Sequence, residues 1–131
     1  MALITWNETF SVQVEELDNQ HKRLIGLINQ LHEAMIEGKG RSVLTPILDE
    51  LMDYTQTHFT VEKVMMKKCS YPGLAEHKKA HDAFTQKVKE FQGRYQSGQV
   101  AISVDLMNFL HDWLVNHILS MDKRYAPYLI K

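Results

Sequence analysis

Apolar residues recur at alternating spacings of three and four along four stretches of the chain. The first reads Leu17, His21, Leu24, Ile28, Leu31 and Met35. The second reads Ile47, Leu51, Tyr54, His58, Glu62 and Met65. The third reads Leu74, His77, His81, Phe84, Val88, Phe91 and Tyr95, and the fourth Leu106, Leu110, Trp113, His117 and Met121. That period presents one face of a helix to a core. The breaks between stretches predict the ends. Asp18 reads as the N-cap of the first helix, which stops near Glu37 at Gly38-Lys39-Gly40. The second begins between Ser42 and Pro46, with Thr45-Pro46 as cap and first turn, and stops near Lys68, before Ser70-Tyr71-Pro72-Gly73. The third runs from about Leu74 to Gln96 and ends near Ser97-Gly98. The fourth starts near Ser103 and passes Asp122, with Pro127 limiting any continuation. Short connections between long helices imply antiparallel neighbours. The expected fold is therefore all-α, an up-down-up-down four-helix bundle over residues 18–122. An extended N-terminal arm covers 1–17, where Trp6, Phe10, Val12 and Val14 lack helical spacing, and a C-terminal tail covers 123–131.

The length of 131 residues fits one domain with a core of its own. Fifteen basic and sixteen acidic residues leave a net charge of -1, which argues against a nucleic-acid partner. No apolar run approaches the length of a membrane span. The first residues lack the charged and apolar regions of a secretion signal. Cys69 is alone, so no disulfide forms within the chain. These features lead to the expectation of a cytoplasmic protein without membrane insertion.

Histidine changes the picture. Five of the seven histidines, with one glutamate, occupy stripe positions where apolar residues belong. A buried carboxylate without a partner is costly. Height along the helices supplies the rest. His21, His58, Glu62, His77, His81 and His117 stand at matching distances from their helix ends, so an antiparallel bundle brings them to one level. His58 and Glu62 are four apart, as are His77 and His81, so each pair shares a helical face. Asp122 follows His117 by five and fits a helical strip less well. It could meet another side of a wide, two-metal site, or the helix could bulge there. Two six-coordinate metals offer twelve positions. Five imidazoles, two bridging carboxylates and one bridging oxygen fill eleven, leaving one for a small ligand. Imidazole with carboxylate suits iron, though zinc takes the same donors.

Several residues have plainer readings. His32 and His111 flank the stripe as polar surface groups. Cys69 reads as a bystander near a loop, and the seven methionines as core filler. The segment from His32 to Ile36 lacks the second histidine of a zinc-protease motif.

In order along the chain stand Trp6-Asn7, Asp18-x-Gln20-His21, His58-Phe59-x-x-Glu62, His77-x-x-x-His81, Trp113-x-x-x-His117-Ile118-x-x-x-Asp122 and the ending Tyr125-Ala126-Pro127-Tyr128-Leu129. This ordered set resembles the hemerythrin family, in its single-domain bacterial branch. The resemblance implies two non-haem iron ions per chain. His77, His81 and His117 would bind one. His21 and His58 would bind the other, which keeps the open position. Glu62, Asp122 and an oxo or hydroxo group would bridge them. Leu24, Phe59, Trp113, Leu114 and Ile118 would wall an apolar dioxygen pocket. The implied function is reversible dioxygen binding for carriage, storage or delivery, with no enzyme activity. The expected protein is a monomer whose partners are dioxygen and an oxygen-consuming enzyme. Two other readings remain open beside it. One is a di-iron oxidase or peroxidase. The other is an oxygen or redox sensor acting through a separate partner, since a sensor's own output domain has no room here.

Overall fold

A computed structural model describes residues 4–38, 41–97 and 104–129. The four stretches are helices: α1 (Glu15–Ile36), α2 (Arg41–Lys68), α3 (Leu74–Gln96) and α4 (Val104–Asn116). The fourth rod continues through a π-helical turn, His117–Asp122, into α5 (Lys123–Leu129). Together they form the antiparallel four-helix bundle. The stripe leucines Leu17, Leu24, Leu31, Leu51, Leu106 and Leu110 are all buried. Phe84 closes the α3–α4 side, stacking on Phe109 at 5.7 Å and packing against Trp113 at 4.1 Å. Among the described residues no helix is long and apolar enough to cross a membrane.

The helix ends differ from the sequence expectation at four places. First, α1 begins at Glu15, and its N-cap is Val14 rather than Asp18. The Asp18 carboxylate instead reaches back to the arm, accepting from Val12 N at 2.8 Å and Ser11 Oγ at 2.6 Å. With Glu15 and Glu16 it also places negative charge in the first turn, where the helix dipole favours it. Second, α2 begins at Arg41, so Pro46 sits inside the helix rather than in its first turn. Its missing N–H removes one bond only, to the carbonyl of residue 42. Third, helix persists past Pro127 to Leu129, where a tail was expected. Burial of Tyr125 and Ala126 against Val12, Leu17 and Met66 holds that turn in place. Fourth, the arm is not wholly extended. It carries a 3-10 turn over Glu8–Phe10, capped by the Asn7 side chain, which accepts from Thr9 N. Its first described residue, Ile4, is clamped to Asn29 on α1 by a pair of bonds of 2.9 and 2.8 Å. The expected fourth start, Ser103, and the stops at Lys39-Gly40 and Gly98 lie outside the described residues.

The α2–α3 turn sets where His77 and His81 stand relative to Glu62. Tyr71 N donates to Met66 O at 3.0 Å and Ser70 N to Lys67 O at 3.2 Å, the bond pair of a Schellman cap. Ser70 takes the left-handed position, with φ of 55°. An L-residue is strained there and glycine is not. Ser70→Gly should therefore raise stability by about 1 kcal/mol, read as a higher urea midpoint at unchanged slope.

Candidate metal centre

Four rods deliver seven side chains to one level of the core. His21 comes from α1, His58 and Glu62 from α2, His77 and His81 from α3, and His117 and Asp122 from the π turn. All seven are buried, and His21 and Glu62 are fully so. The interval of five between His117 and Asp122 is explained by the π turn. There Lys123 N donates to Ile118 O, five residues back. Residues five apart come onto one side of a rod wound this way. His117 Nε2 consequently lies 3.1 Å from Asp122 Oδ1.

The donor atoms fall into two groups. Glu62, His77, His81, His117 and Asp122 form one, and His21, His58, Glu62 and Asp122 the other; within each, all donor atoms lie within 4.8 Å. Both carboxylates belong to both groups. His77 Nε2 is 3.0 Å from Asp122 Oδ1, and His81 Nε2 is 3.2 Å from Glu62 Oε1. His21 Nε2 is 3.0 Å from Asp122 Oδ2, and His58 Nε2 is 3.3 Å from Glu62 Oε1. His117 Nε2 lies 3.1 Å from the Nε2 atoms of both His77 and His81.

These distances test whether the set fits metal. Two donors at right angles round a metal, each about 2.1 Å from it, stand about 3 Å apart. The observed spacings match that geometry. Direction agrees as well. His21 Nε2, Glu62 Oε1 and both Asp122 oxygens are buried and make no hydrogen bond among the described residues, despite their close approach. Buried polar atoms are normally paired. Buried donor atoms this close without a hydrogen bond between them suit shared cations instead. Among the described residues the clusters of this kind are these two.

The electrostatics of the protein side chains alone point the same way. Burial opposes charge on His21, but the neighbouring Asp122 and Glu62 carboxylates outweigh it and carry the pKa up to about 10. His77 rises to about 9 by the same balance. Burial lowers His58 to about 4, and it lowers His81 too. Burial would raise both carboxylates, yet the surrounding imidazoles hold Glu62 and Asp122 well below the carboxylate range. Without metal, positive charge on His21 and His77 thus offsets the negative charge of the two carboxylates.

Two further contacts join the cluster that the sequence reading left without a role. With Nε2 of His58 turned to the cluster, Nδ1 carries the proton and donates to Gln20 Oε1 at 2.6 Å. Such a bond fixes ring orientation and tautomer in metal-binding histidines. The Tyr125 hydroxyl donates to Glu62 Oε2. Burial, and then the negative charge of Asp122 and Glu62, pushes the Tyr125 pKa well above its ordinary value, which keeps the donor protonated. The signal for Tyr125 was its place three after Asp122, on the same side of the rod. Tyr125→Phe leaves a buried carboxylate oxygen short of a donor. The metal-free protein should lose about 2 kcal/mol, measured by urea unfolding, while the variant still takes up iron.

A small cavity adjoins the cluster beside His21, His58 and His117. Leu24, Phe59, Trp113 and Leu114 line it, together with Ile28, Leu51, Thr55, Phe84 and Leu110. Ile118 is fully buried in the core but is not among the lining residues. It follows His117 directly, so its side chain leaves the rod about a quarter-turn away. Phe59 stacks on His81 at 3.7 Å, and Trp113 stacks on His117 at 4.3 Å. His111 pairs with Asp112 on the surface and His32 is half-buried, both outside the cluster. Cys69 bonds only weakly, to the Met66 carbonyl at 3.4 Å.

Residues 12–129 match the family profile described as the hemerythrin HHE cation binding domain. The chain belongs to the hemerythrin family. A bacteriohemerythrin of Methylococcus capsulatus (strain Bath) is 38% identical over 130 residues, covering 98% of each chain. One from Stenotrophomonas maltophilia is 37% identical over 126 residues, covering 96% of this chain and 81% of the relative. A myohemerythrin of Theromyzon tessulatum is 33% identical over 120 residues, covering 92% of this chain and 88% of the relative. A wild-type hemerythrin crystal structure superposes with a TM-score of 0.94 at 37% identity, covering 99% of this chain and all of the other. Hemerythrins bind dioxygen at a di-iron centre, and the cluster here fits non-haem iron.

Proposed function

We propose that this protein binds dioxygen reversibly at two bridged non-haem irons and serves its carriage, storage or delivery in the cytoplasm. One observation carries the reading: the donors divide into a three-histidine group and a two-histidine group that share both carboxylates. His77, His81 and His117 hold one iron, and His21 and His58 the other. Glu62 and Asp122, common to both groups, would be shared between them beside an oxo or hydroxo group. Bound there, two ferrous ions supply the two electrons that reversible dioxygen binding shifts onto the ligand.

The chain's own residues do the rest. The two-histidine group has fewer protein donors, so it would leave room for a small ligand, and both of its histidines line the cavity. Leu24, Phe59, Trp113 and Leu114 keep bulk water from that position, which protects a bound ligand from displacement. Gln20 fixes the His58 ring, and Tyr125 fixes one oxygen of Glu62. Five imidazoles against two carboxylates favour the ferrous state over the carboxylate-rich shells that activate oxygen for oxidation. The protein acts as a monomer, and an oxygen-consuming enzyme is the partner that would draw on it.

The test is anaerobic loading with ferrous iron, then alternating air and argon. A carrier takes two irons per chain, and its visible absorption appears and vanishes over many cycles. Release of peroxide, or a permanently ferric spectrum after the first exposure, would instead make it an oxidase.

A further inference from the structure

Three tyrosines stand in file between the cluster and the surface. Tyr125 is fully buried and meets the cluster twice. Its hydroxyl donates to Glu62 Oε2, and its ring centre lies 5.4 Å from that of His77. Tyr71, half-buried in the α2–α3 turn, meets Tyr125 edge to face at 6.3 Å. Tyr128 meets Tyr71 in the same way at 5.0 Å and is 38 % exposed. The turn leaves room for the middle ring: a Cβ on Gly73 would fall 2.8 Å from the hydroxyl end of Tyr71. A phenol differs from other aromatic side chains in having a proton to give. It yields an electron more readily when an acceptor already holds that proton by a hydrogen bond. Tyr125 has such an acceptor in Glu62.

We propose that Tyr125, Tyr71 and Tyr128 form an outlet that carries oxidising equivalents from the iron pair to the surface when hydrogen peroxide reacts there. The proposal rests on reading the cluster as an iron pair. A dioxygen carrier meets peroxide whenever bound dioxygen leaves with the two electrons it has borrowed. At the irons the O–O bond of peroxide breaks, and its two oxygens need two electrons and two protons to become two waters. Tyr125 gives up an electron while its proton shifts along the bond towards Glu62. An electron from Tyr71 then refills Tyr125, which takes its proton back, and one from Tyr128 refills Tyr71. Tyr128 releases a proton to solvent for each electron it passes, and the peroxide oxygens take up the same number. A small reductant such as ascorbate refills Tyr128 after each passage. Two passages turn one peroxide and one ascorbic acid into two waters and dehydroascorbate. Without a reductant, the first passage leaves a phenoxyl radical on Tyr128, and the second oxidising equivalent stays at the irons.

Trp113 is the rival donor. It stacks on the ring of His117 at 4.3 Å. On that account the radical forms on tryptophan, and the three tyrosines only pack α5 against the turn.

The test treats air-oxidised, iron-loaded protein with hydrogen peroxide, freezes it rapidly and reads electron paramagnetic resonance. Ring-deuterated tyrosine should narrow the radical signal, and ring-deuterated tryptophan should leave it unchanged. Tyr125→Phe should lose the tyrosine signal. Tyr128→Phe should keep it, but should lose the tyrosine-linked dimer that native chains form as their surface radicals couple. The proposal is overturned by an absent radical, by a signal that only deuterated tryptophan narrows, by a tyrosine signal undiminished in Tyr125→Phe, or by a dimer undiminished in Tyr128→Phe. Should Tyr125→Phe fail to fold, labelling of the native protein and the Tyr128→Phe dimer assay decide alone. Alternating air and argon on the same preparation judges the carrier reading separately. Cycling without a tyrosine signal refutes the outlet alone, and a tyrosine signal without cycling refutes the carrier alone.

Discussion

Glu62→Ala should abolish loading of the iron pair. Glu62 is fully buried, and its carboxylate is a donor in both groups. Alanine takes a donor from both groups and removes one of the two negative charges of the cluster. His21 and His77 owe their raised pKa values to Asp122 and Glu62 together. With Glu62 gone, one imidazolium loses its counter-charge in a site without solvent. Breaking a buried ion pair by deleting one partner costs about 3–5 kcal/mol. The metal-free variant should therefore melt well below the native protein as well as fail to hold iron. Glu62→Gln separates the two effects. It keeps the volume, so it should recover part of the lost stability, but an amide is a poor bridge and the iron content should stay low. His117→Ala is the milder comparison, because it removes one nitrogen from the three-histidine group and leaves both carboxylates. It should destabilise the pair without erasing the second group. Iron content is read by metal analysis after desalting. Full loading of Glu62→Ala would remove Glu62 from the bridge.

The second large effect is on pH. A metal takes the imidazole lone pair, so each protonated ligand must release its proton on loading. His21, at about 10, and His77, at about 9, are protonated at neutral pH in the metal-free protein. His58 and His81 are shifted downward and contribute none there. Loading near pH 7.5 should thus release about two protons from these ligands, which alone makes apparent iron affinity fall about a hundredfold for each unit of acidification, and a hydroxo bridge formed from water would add a further proton. The dependence should flatten as pH rises through 9 and 10. The same shifts give the metal-free fold its own profile. A raised histidine contributes stability that is fully present below its ordinary pKa of 6.5. That contribution is lost as pH climbs through 9 to 10. Lowered carboxylates contribute stability above their ordinary range, and lose it as pH falls through the folded values. The metal-free protein should accordingly weaken in alkali, where the iron-loaded protein does not. Titration calorimetry in two buffers of different ionisation heat counts the protons. Uptake that ignores pH would contradict the charge balance described for the cluster.

Much of this site was legible in the chain because imidazole and carboxylate are expensive in a core. His21, His58, Glu62, His77, His81 and His117 stood out against Leu24, Ile28, Leu51 and Phe84, and helix arithmetic set them at one height. Asp122 was harder. Its interval of five from His117 breaks α periodicity, and only a π turn turns the two toward the same point. Gln20 and Tyr125 reach partners 38 and 63 residues away, so their contacts could not be read from the chain, although Tyr125 stands three after Asp122 on the same side of the rod. At α1, side-chain chemistry misled: Asp18 has a capping side chain, but it bonds to the arm rather than to its own helix. The proline signals at Pro46 and Pro127 were outweighed by the surrounding helix and, at Pro127, by the burial of Tyr125.

Anomalous diffraction at the iron edge from ferrous-loaded crystals examines the coordination most directly. Two peaks are expected in the middle of the bundle, one bonded to the Nε2 atoms of His77, His81 and His117 and the other to those of His21 and His58, with Glu62 and Asp122 touching both. A single peak, or a pair bound away from these seven side chains, would contradict it.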